Sequence, residues 1–227
     1  METNAFSEIF PLFDFASPET LEWLLTVVEE QDYPKDTVII TEDNWGKAVF
    51  FLVSGWIKLR YSSKENQVTL DILGRGDCFG EMAVLDEAPR LTEVIALSDV
   101  EIISISAQRF IQMLYKEPQL HHRMLQLTVK RVRQFYRRFL LPQYTAKVRV
   151  VKMLIALAEN YGQSTERGTE ILYLPQRDLA DLAGIKPEET VKILESLNHK
   201  GWIEIDKSHR TLTLTNLKQL NHLVKQL

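Results

Sequence analysis

Residues 107–141 contain no glycine and a single proline, Pro118. A stretch of that length without a breaker predicts helix, a short one before the proline and a long one after it. In the longer part Leu125, Val129, Val132, Tyr136 and Phe139 recur at steps of 4, 3, 4 and 3. That is the seam by which one helix pairs with a second copy of itself. It lasts only about two heptads, so a helix lying along its own domain competes with pairing. Residues 119–142 carry 6 Lys and Arg and no Asp or Glu. Arg131, Arg133, Arg137 and Arg138 lie near the seam and need solvent or acidic partners. The rod divides the chain into a part before it and a part after it, predicting a first domain over 1–118, helix and hinge over 119–142, and a last domain over 143–227.

The two flanking parts differ in charge. Residues 1–118 hold 9 Lys and Arg against 21 Asp and Glu, and residues 143–227 hold 12 against 10, within a net charge of −4. An asymmetry of this kind points to a nucleic-acid partner for one half, or to a solvated basic helix face. With 45% hydrophobic and 26% charged residues among 227, the chain reads as globular, not disordered. Its one cysteine, Cys78, excludes an internal disulfide framework, a multi-cysteine zinc site and a four-cysteine iron–sulfur cluster. The longest apolar runs, 48–53 and 153–158, are six residues each, far below the roughly 20 needed to span a bilayer. The opening METNAFSEIF lacks the basic-then-apolar pattern of a secretory leader. A soluble, cytoplasmic protein with no membrane partner is expected. No nucleophile–base pair, metal-ligand cluster or phosphate-loop signature points to an enzyme.

The front part reads as β. After an acidic helical opening over 17–31, strand-like runs occupy 37–41, 48–56, 57–61, 67–73 and 93–105, with turns marked by Asn44, Gly46, Gly74 and Gly76. Along 67–73, Val68, Leu70 and Ile72 share one face and Thr69, Asp71 and Leu73 the other. Several short strands with glycine turns suggest a compact sandwich or barrel, and no repeat period is present. Within it, 76–94 reads GDCFGEMAVLDEAPRLTEV. Gly80, Glu81, Met82 and Ala83 would turn backbone N–H groups toward an anion. Arg90 has the planar fork that grips a phosphate, and Glu81 could accept from a sugar hydroxyl. A turn with an ordinary surface Glu–Arg pair fits the bare spacing as well.

The rear part begins at a hinge near Pro142. A helix over 147–161 buries Val148, Val151, Leu154, Ile155 and Ala158 along one face. The polar stretch 162–168 reads as a connection, followed by a strand over 170–174. Residues 175–184, PQRDLADLAG, form a helix closed by glycine. Ile185-Lys186-Pro187 then opens a second helix running to about His199, with Pro187 at its first position and Glu188 and Glu189 at the positive end of its dipole. Two helices across such a turn, with Ala180 and Ile185 at the crossing, make a helix-turn-helix pattern. Strands over 202–205 and 211–215 add a hairpin whose tip, Asp206 to Arg210, is polar and partly basic. In such a unit the second helix enters the major groove and the hairpin tip touches phosphates. Gln176, Arg177, Lys186, Glu188, Glu189, Lys192, Lys200, Lys207, His209 and Arg210 are the residues placed for that task. A winged helix used only to dock a protein remains an alternative, favoured by the acidic Glu188, Glu189 and Glu195.

In this order, the acidic β-domain with FGEMAVLDEAPR, the long helix and RDLADLAGIKPEETVKILESLNHKGWIEI resemble the CRP/FNR family of bacterial transcription regulators over about 20–217. The resemblance implies an α+β chain: a cyclic-nucleotide-binding-like β-roll (a jelly roll), a long dimerisation helix and a C-terminal winged helix-turn-helix. It implies a homodimer whose effector controls binding to near-palindromic double-stranded DNA, with RNA polymerase as a further partner. The alternative is a cyclic-nucleotide sensor acting through a protein partner. Gly80 and Glu81 match the cassette's glycine and ribose-binding glutamate, and Arg90 its phosphate-binding arginine; Met82 and Ala83 complete the turn. Where cyclic-AMP binders follow that arginine with Ser or Thr and then Ala, this chain has Leu91 and Thr92, and leucine offers no hydroxyl. On the long helix Arg131, Phe135 and Tyr136 fall at the ligand-facing places. Cyclic AMP, another cyclic nucleotide or a self-closed pocket all fit. In the reading helix Glu188 matches, while Val191 and Lys192 stand in the family's Ser and Arg places. No metal, haem or iron–sulfur cluster is expected; His121, His122, His199, His209 and His222 form no haem pattern.

Overall fold

The structure, a computed structural model, describes residues 3–41 and 45–225. It divides into two compact units, the first ending at Arg133 and the second beginning at Gln134. The first contains helices α1 (Thr3–Ile9) and α2 (Pro18–Val27), then strands β1 (Glu29–Tyr33), β2 (Val38–Ile40), β3 (Ala48–Ser54), β4 (Trp56–Ser62), β5 (Gln67–Gly74) and β6 (Cys78–Phe79). A short helix α3 (Glu81–Leu85), strands β7 (Glu93–Ala96) and β8 (Val100–Ser106), and helix α4 (Ala107–Lys116) follow, and the long helix α5 (Pro118–Phe139) leads out of it. The strands form two antiparallel four-stranded sheets, ordered β1-β8-β3-β6 and β2-β7-β4-β5.

Alternation along β3 and β8 explains how the layers stack. Val49 and Phe51, with Ile103 and Ile105, face the helices, while Leu52 and Ile102 face the opposite sheet. Successive strand residues point to opposite faces, so a strand buried on both sides must be apolar throughout, as AVFFLV is. Between the sheets Leu52, Ile57, Leu73, Phe79, Val94 and Ile102 close one core. On the helix side Phe6, Phe10, Phe13, Phe51 and Phe110 pack as an aromatic cluster, with the Phe6–Phe13 and Phe13–Phe51 centroids 4.8 and 5.3 Å apart. Ser17 caps α2 by accepting from Thr20 N at 3.2 Å, with Pro18 at the first position. The Glu117 carboxylate accepts from Ser17 and Thr20 too. Burial tends to raise its pKa, and these hydrogen bonds overcome that and hold it low.

The second unit contains α6 (Ala146–Tyr161), β9 (Gln163–Thr165), β10 (Gly168–Leu172), α7 (Gln176–Ala183), α8 (Pro187–His199), β11 (Ile203–Asp206), β12 (Thr211–Leu214) and α9 (Leu217–Lys225). Its sheet is ordered β11-β12-β10-β9. Helix α6 buries Val148, Val151, Leu154 and Ile155 of the expected stripe, leaves Ala158 half-buried, and adds Val150, Met153 and Leu157. The β-sandwich, long helix and winged helix-turn-helix match the expected fold class.

Local expectations need correction in four places. The helical opening stops at Val27, and 29–33 is a strand, because EEQDY pairs antiparallel with β8 from Glu29↔Ser104 to Tyr33↔Val100. The single run 93–105 is two strands in different sheets, parted by a turn in which the Ser98 hydroxyl accepts from Trp56 N. The polar stretch after α6 contains β9, paired to β10 across a turn where Gly168 has φ +143. Along β5 the faces do not sort as expected: Thr69 and Asp71 are buried with Leu73, and of the apolar face Ile72 is buried while Val68 and Leu70 are exposed. The turn residue Asn44 lies outside the described residues.

Candidate functional site

The segment 76–94 folds around its glycine. Gly80 has φ +79 and leads into α3; a Cβ there would lie 2.5 Å from the Arg90 guanidinium and 3.2 Å from the Phe50 ring. Only glycine combines that backbone with that close approach. Beyond it Glu81 is 5% exposed. Its carboxylate is ion-paired with Arg131 of α5, whose second guanidinium nitrogen donates to the Cys78 carbonyl at 2.9 Å. Burial alone would lower the pKa of Arg131, but Glu81, then Asp77 and Asp71, hold it above its ordinary value. Burial, reinforced by Glu81, pushes the Cys78 thiol up, so it stays a neutral thiol. Arg90 donates to the Ala48 carbonyl at 3.0 Å and lies 5.6 Å from the centroid of Phe50, which itself stacks on Phe79. Burial lowers its pKa and Glu81 opposes the change.

Charges of both signs thus meet in a partly shielded place: the guanidinium groups of half-buried Arg90 and of Arg131, and the carboxylates of buried Glu81 and Asp71. Buried charge is tolerated when paired and hydrogen-bonded. Met82 and Leu91 are exposed, Leu91 at 74%, while Ala83 is buried and Thr92 half-buried. A separate cleft of about 670 Å³ opens between α2 and the α4–α5 junction, lined by Phe15, Trp23, Met113, Lys116 and Glu117 among others. The Glu117 carboxylate on its wall is already committed to Ser17 and Thr20.

Helix α5 has two apolar stripes. Leu120 and Met124 are buried against the sandwich. Leu125, Val129, Val132, Tyr136 and Phe139, the whole expected seam, are between 42% and 80% exposed. Phe135, one turn beyond Arg131, is half-buried with the Arg138 guanidinium 5.7 Å from its centroid.

In the second unit α7 ends where Gly184 turns left-handed at φ +63, and Ile185 N closes the turn on the Ala180 carbonyl at 3.1 Å. Arg149 braces this corner by donating to the carbonyls of Tyr144 and Gly184, both at 2.9 Å. Helix α8 packs Thr190, Ile193, Leu194 and Leu197 inward, leaving Lys186, Glu188, Glu189 and Lys192 exposed. Gln176 and Arg177 are exposed at the start of α7. The hairpin tip is organised by Asp206, which accepts from the backbone of Ser208 and His209 and from His209 Nδ1 at 2.7 Å. Lys207 and His209 are exposed there, and Arg210 is half-buried with φ +56.

Comparison with known proteins fits both halves. The cyclic nucleotide-binding domain model matches residues 30–117, and the Crp-like helix-turn-helix domain model matches 148–223. The chain is a CRP/FNR-type regulator. This regulator is 24% identical over 198 residues to the "CRP-like cAMP-activated global transcriptional regulator" of Mycobacterium tuberculosis, covering 86% of this chain and 88% of that protein. It is 27% identical over 198 residues to the "Cyclic AMP receptor protein" of Thermus thermophilus, with the same coverage. Among solved structures, FixK2 from Bradyrhizobium japonicum superimposes with a TM-score of 0.76 at 21% identity, over 87% of this chain and 97% of that one.

Within the CRP/FNR-type regulator the structure brings Gly80, Glu81, Arg90 and Arg131 together. The ordinary surface Glu–Arg pair is not what forms: Glu81 is buried and its partner is Arg131. Sequence reasoning missed Asp71 as a charge acting on Arg131. A carboxylate alternating with apolar residues along β5 was the available signal. The five histidines, His121, His122, His199, His209 and His222, are exposed. Among the described residues no cluster suits a metal ion, and no helix is long and apolar enough to cross a membrane.

Proposed function

We propose that this chain is a homodimeric, cytoplasmic transcription regulator whose first unit binds a cyclic nucleotide and whose second reads a near-palindromic duplex. The observation that carries this is the buried ion pair between Glu81 of the cassette and Arg131 of the long helix. A ribose hydroxyl offered to Glu81 competes with Arg131, and a cyclic phosphate near Arg90 gives both guanidinium groups a new anion. The ligand therefore acts on the bond that ties α5 to the sandwich. It favours one placement of that helix over another, which is the requirement for control at a distance. The residues fit a sugar phosphate: Glu81 to accept, Arg90 and Arg131 to neutralise. Arg90 must first leave the Ala48 carbonyl, and Leu91 adds no hydroxyl. Cyclic AMP is the first candidate, supported by the likeness to the cAMP-activated regulator of Mycobacterium tuberculosis and the cyclic AMP receptor protein of Thermus thermophilus.

The exposed stripe on α5 supports pairing of two copies, since burying one Leu, Val or Phe side chain is worth about 1.5–3 kcal/mol. Two-fold symmetry then sets half-sites about one helical turn of DNA apart. Lys186 and Lys192 on α8 meet the groove, and Gln176, Arg177, Lys207, His209 and Arg210 meet the backbone. Glu188 can accept from a cytosine amino group, and Glu189 stands beside it. RNA polymerase is the further protein partner in this reading.

Calorimetric titration with cyclic AMP and cyclic GMP, on the wild type and Arg90→Ala, tests the first unit. Wild-type binding weakened more than tenfold by Arg90→Ala is expected; binding that survives the change removes the phosphate-clamp role. Gel shifts test the second: Lys192→Ala should weaken specific binding and Lys207→Ala all binding. Failure to hold any duplex at low salt, where phosphate contacts are strongest, would favour the exposed Glu188, Glu189 and Glu195 face as a protein-docking surface.

A further inference from the structure

Two lysines from distant parts of the second unit converge on one tryptophan. Lys147, at the start of α6, has its ammonium 5.4 Å from the centroid of Trp202, and Lys200, which ends α8, has its ammonium 5.1 Å from the same centroid. The tryptophan is a fixed platform. Its backbone N–H donates to the Leu197 carbonyl at 3.1 Å, and its backbone carbonyl accepts from the N–H groups of Thr215 and Asn216. Each cation gains from the ring, but the two repel one another. Lys147 has its pKa lowered, by burial first and then by Lys200. Among the described residues neither ammonium has a carboxylate within 4.0 Å. Next to them Gly201 is open, with nothing within 4 Å of an added Cβ. A bound anion would relieve the repulsion.

We propose that Lys147 and Lys200, set on Trp202, form a clamp for one phosphodiester of duplex DNA. The inference rests on the DNA-reading function proposed above and adds a contact to it. Helix length supplies the reason for a backbone phosphate. Thirteen residues of α8 span about 20 Å at 1.5 Å each, whereas the major groove is about 12 Å wide. With its N-terminal residues at the base edges, the far end of α8 emerges at the groove's rim, where phosphates lie. Lys147, drawn in from α6, doubles the charge at that point.

The test is binding of a labelled 30-base-pair duplex of mixed sequence, measured by anisotropy over a salt series. Each phosphate neutralised contributes about 0.9 to the slope of log K against log salt. Lys147→Gln/Lys200→Gln should therefore flatten the slope by about 0.9. It should weaken binding about fifteenfold at 50 mM salt and about fivefold at 150 mM, by the same relation. Lys147→Arg/Lys200→Arg should restore the slope. Lys200→Glu, which hands Lys147 an internal partner and keeps the fold satisfied, should lose at least as much as the double glutamine variant. An unchanged slope in the glutamine variant and in Lys200→Glu, with wild type binding, overturns the clamp and leaves DNA reading intact. A wild type that holds no duplex at 50 mM salt overturns both.

Discussion

Replacing Arg131 by methionine removes the charge that lets Glu81 stay buried. Both side chains are shielded, 18% exposed for Arg131 and 6% for Glu81, so water screens the pair poorly. Breaking a buried pair from one side costs about 3–5 kcal/mol, because the remaining charge is left uncompensated. The Cys78 carbonyl also loses its donor, and Asp71 and Asp77 lose a nearby cation, which places Arg131→Met in the upper part of that range. Glu81→Gln is milder, about 1–3 kcal/mol, since Arg131 keeps Asp77 and Asp71. In the double variant the penalty of an isolated carboxylate disappears, and a coupling of about 2 kcal/mol is expected. Urea unfolding followed by tryptophan fluorescence in a Trp202→Phe background isolates the first unit, which then holds all remaining tryptophans, Trp23, Trp45 and Trp56. A cost below about 1 kcal/mol for Arg131→Met, or single changes that add within about 0.5 kcal/mol, would refute the view that Arg131 holds Glu81 in place.

Gly80→Ala should displace Arg90, since the new Cβ would sit 2.5 Å from its guanidinium on a backbone at φ +79; nucleotide titration should show weaker binding even where thermal melting shows a folded protein. Phe51→Ala, at the centre of the phenylalanine cluster, should cost about 3–5 kcal/mol in urea unfolding. Val129→Lys/Val132→Lys should convert a dimer to a monomer in sedimentation while leaving the far-ultraviolet spectrum unchanged, because both side chains are exposed in the single chain. At the hairpin tip the hydrogen bond and charge of Asp206 raise the pKa of His209. The positive charge is therefore present at low pH and lost as pH rises through that raised value, so duplex affinity should fall from pH 6 to 8 in the wild type and stay level in His209→Ala.

The parts of the fold legible in the sequence are those where local chemistry and tertiary packing agree. AVFFLV is apolar at every position because β3 is buried on both faces, and Gly184 and Pro187 bracket the turn of the helix-turn-helix because left-handed backbone and a missing N–H belong there. Residues 29–31 read as the end of a helix because nothing local opposes one. Their strand state comes from β8, some seventy positions away along the chain, and a pairing of that range leaves no local pattern. The five seam residues were legible because the step of 3 and 4 is local. Their exposure follows from the same regularity: with Leu120 and Met124 turned to the sandwich, the other stripe of α5 faces away.

The effector site was half legible for a related reason. Gly80, Glu81 and Arg90 lie within eleven positions and form a pattern, and the excess of arginine on α5 signalled a need for acidic partners in the first domain. Which arginine meets which acid depends on where α5 crosses the sandwich, and that is set by Leu120 and Met124, not by charge. Asp71 hides deeper still. Alternation on β5 places Val68 and Leu70 with one face and Thr69 and Asp71 with the other, and ordinary burial would turn the apolar face inward. The chain does so only at Ile72; Val68 and Leu70 are exposed, and Thr69 and Asp71 are buried. Burying a carboxylate while exposing a valine and a leucine is unfavourable for folding unless a cation on the inner side repays it. Asp71 accepts from Ile72 N at 2.9 Å, and Arg131 lies near enough that Asp71 adds, after Glu81 and Asp77, to its raised pKa. Buried Asp71 and Glu81 and the shielded Arg131 together keep a polar interior in a β-sandwich at a cost to stability, which a polar ligand entering it would offset.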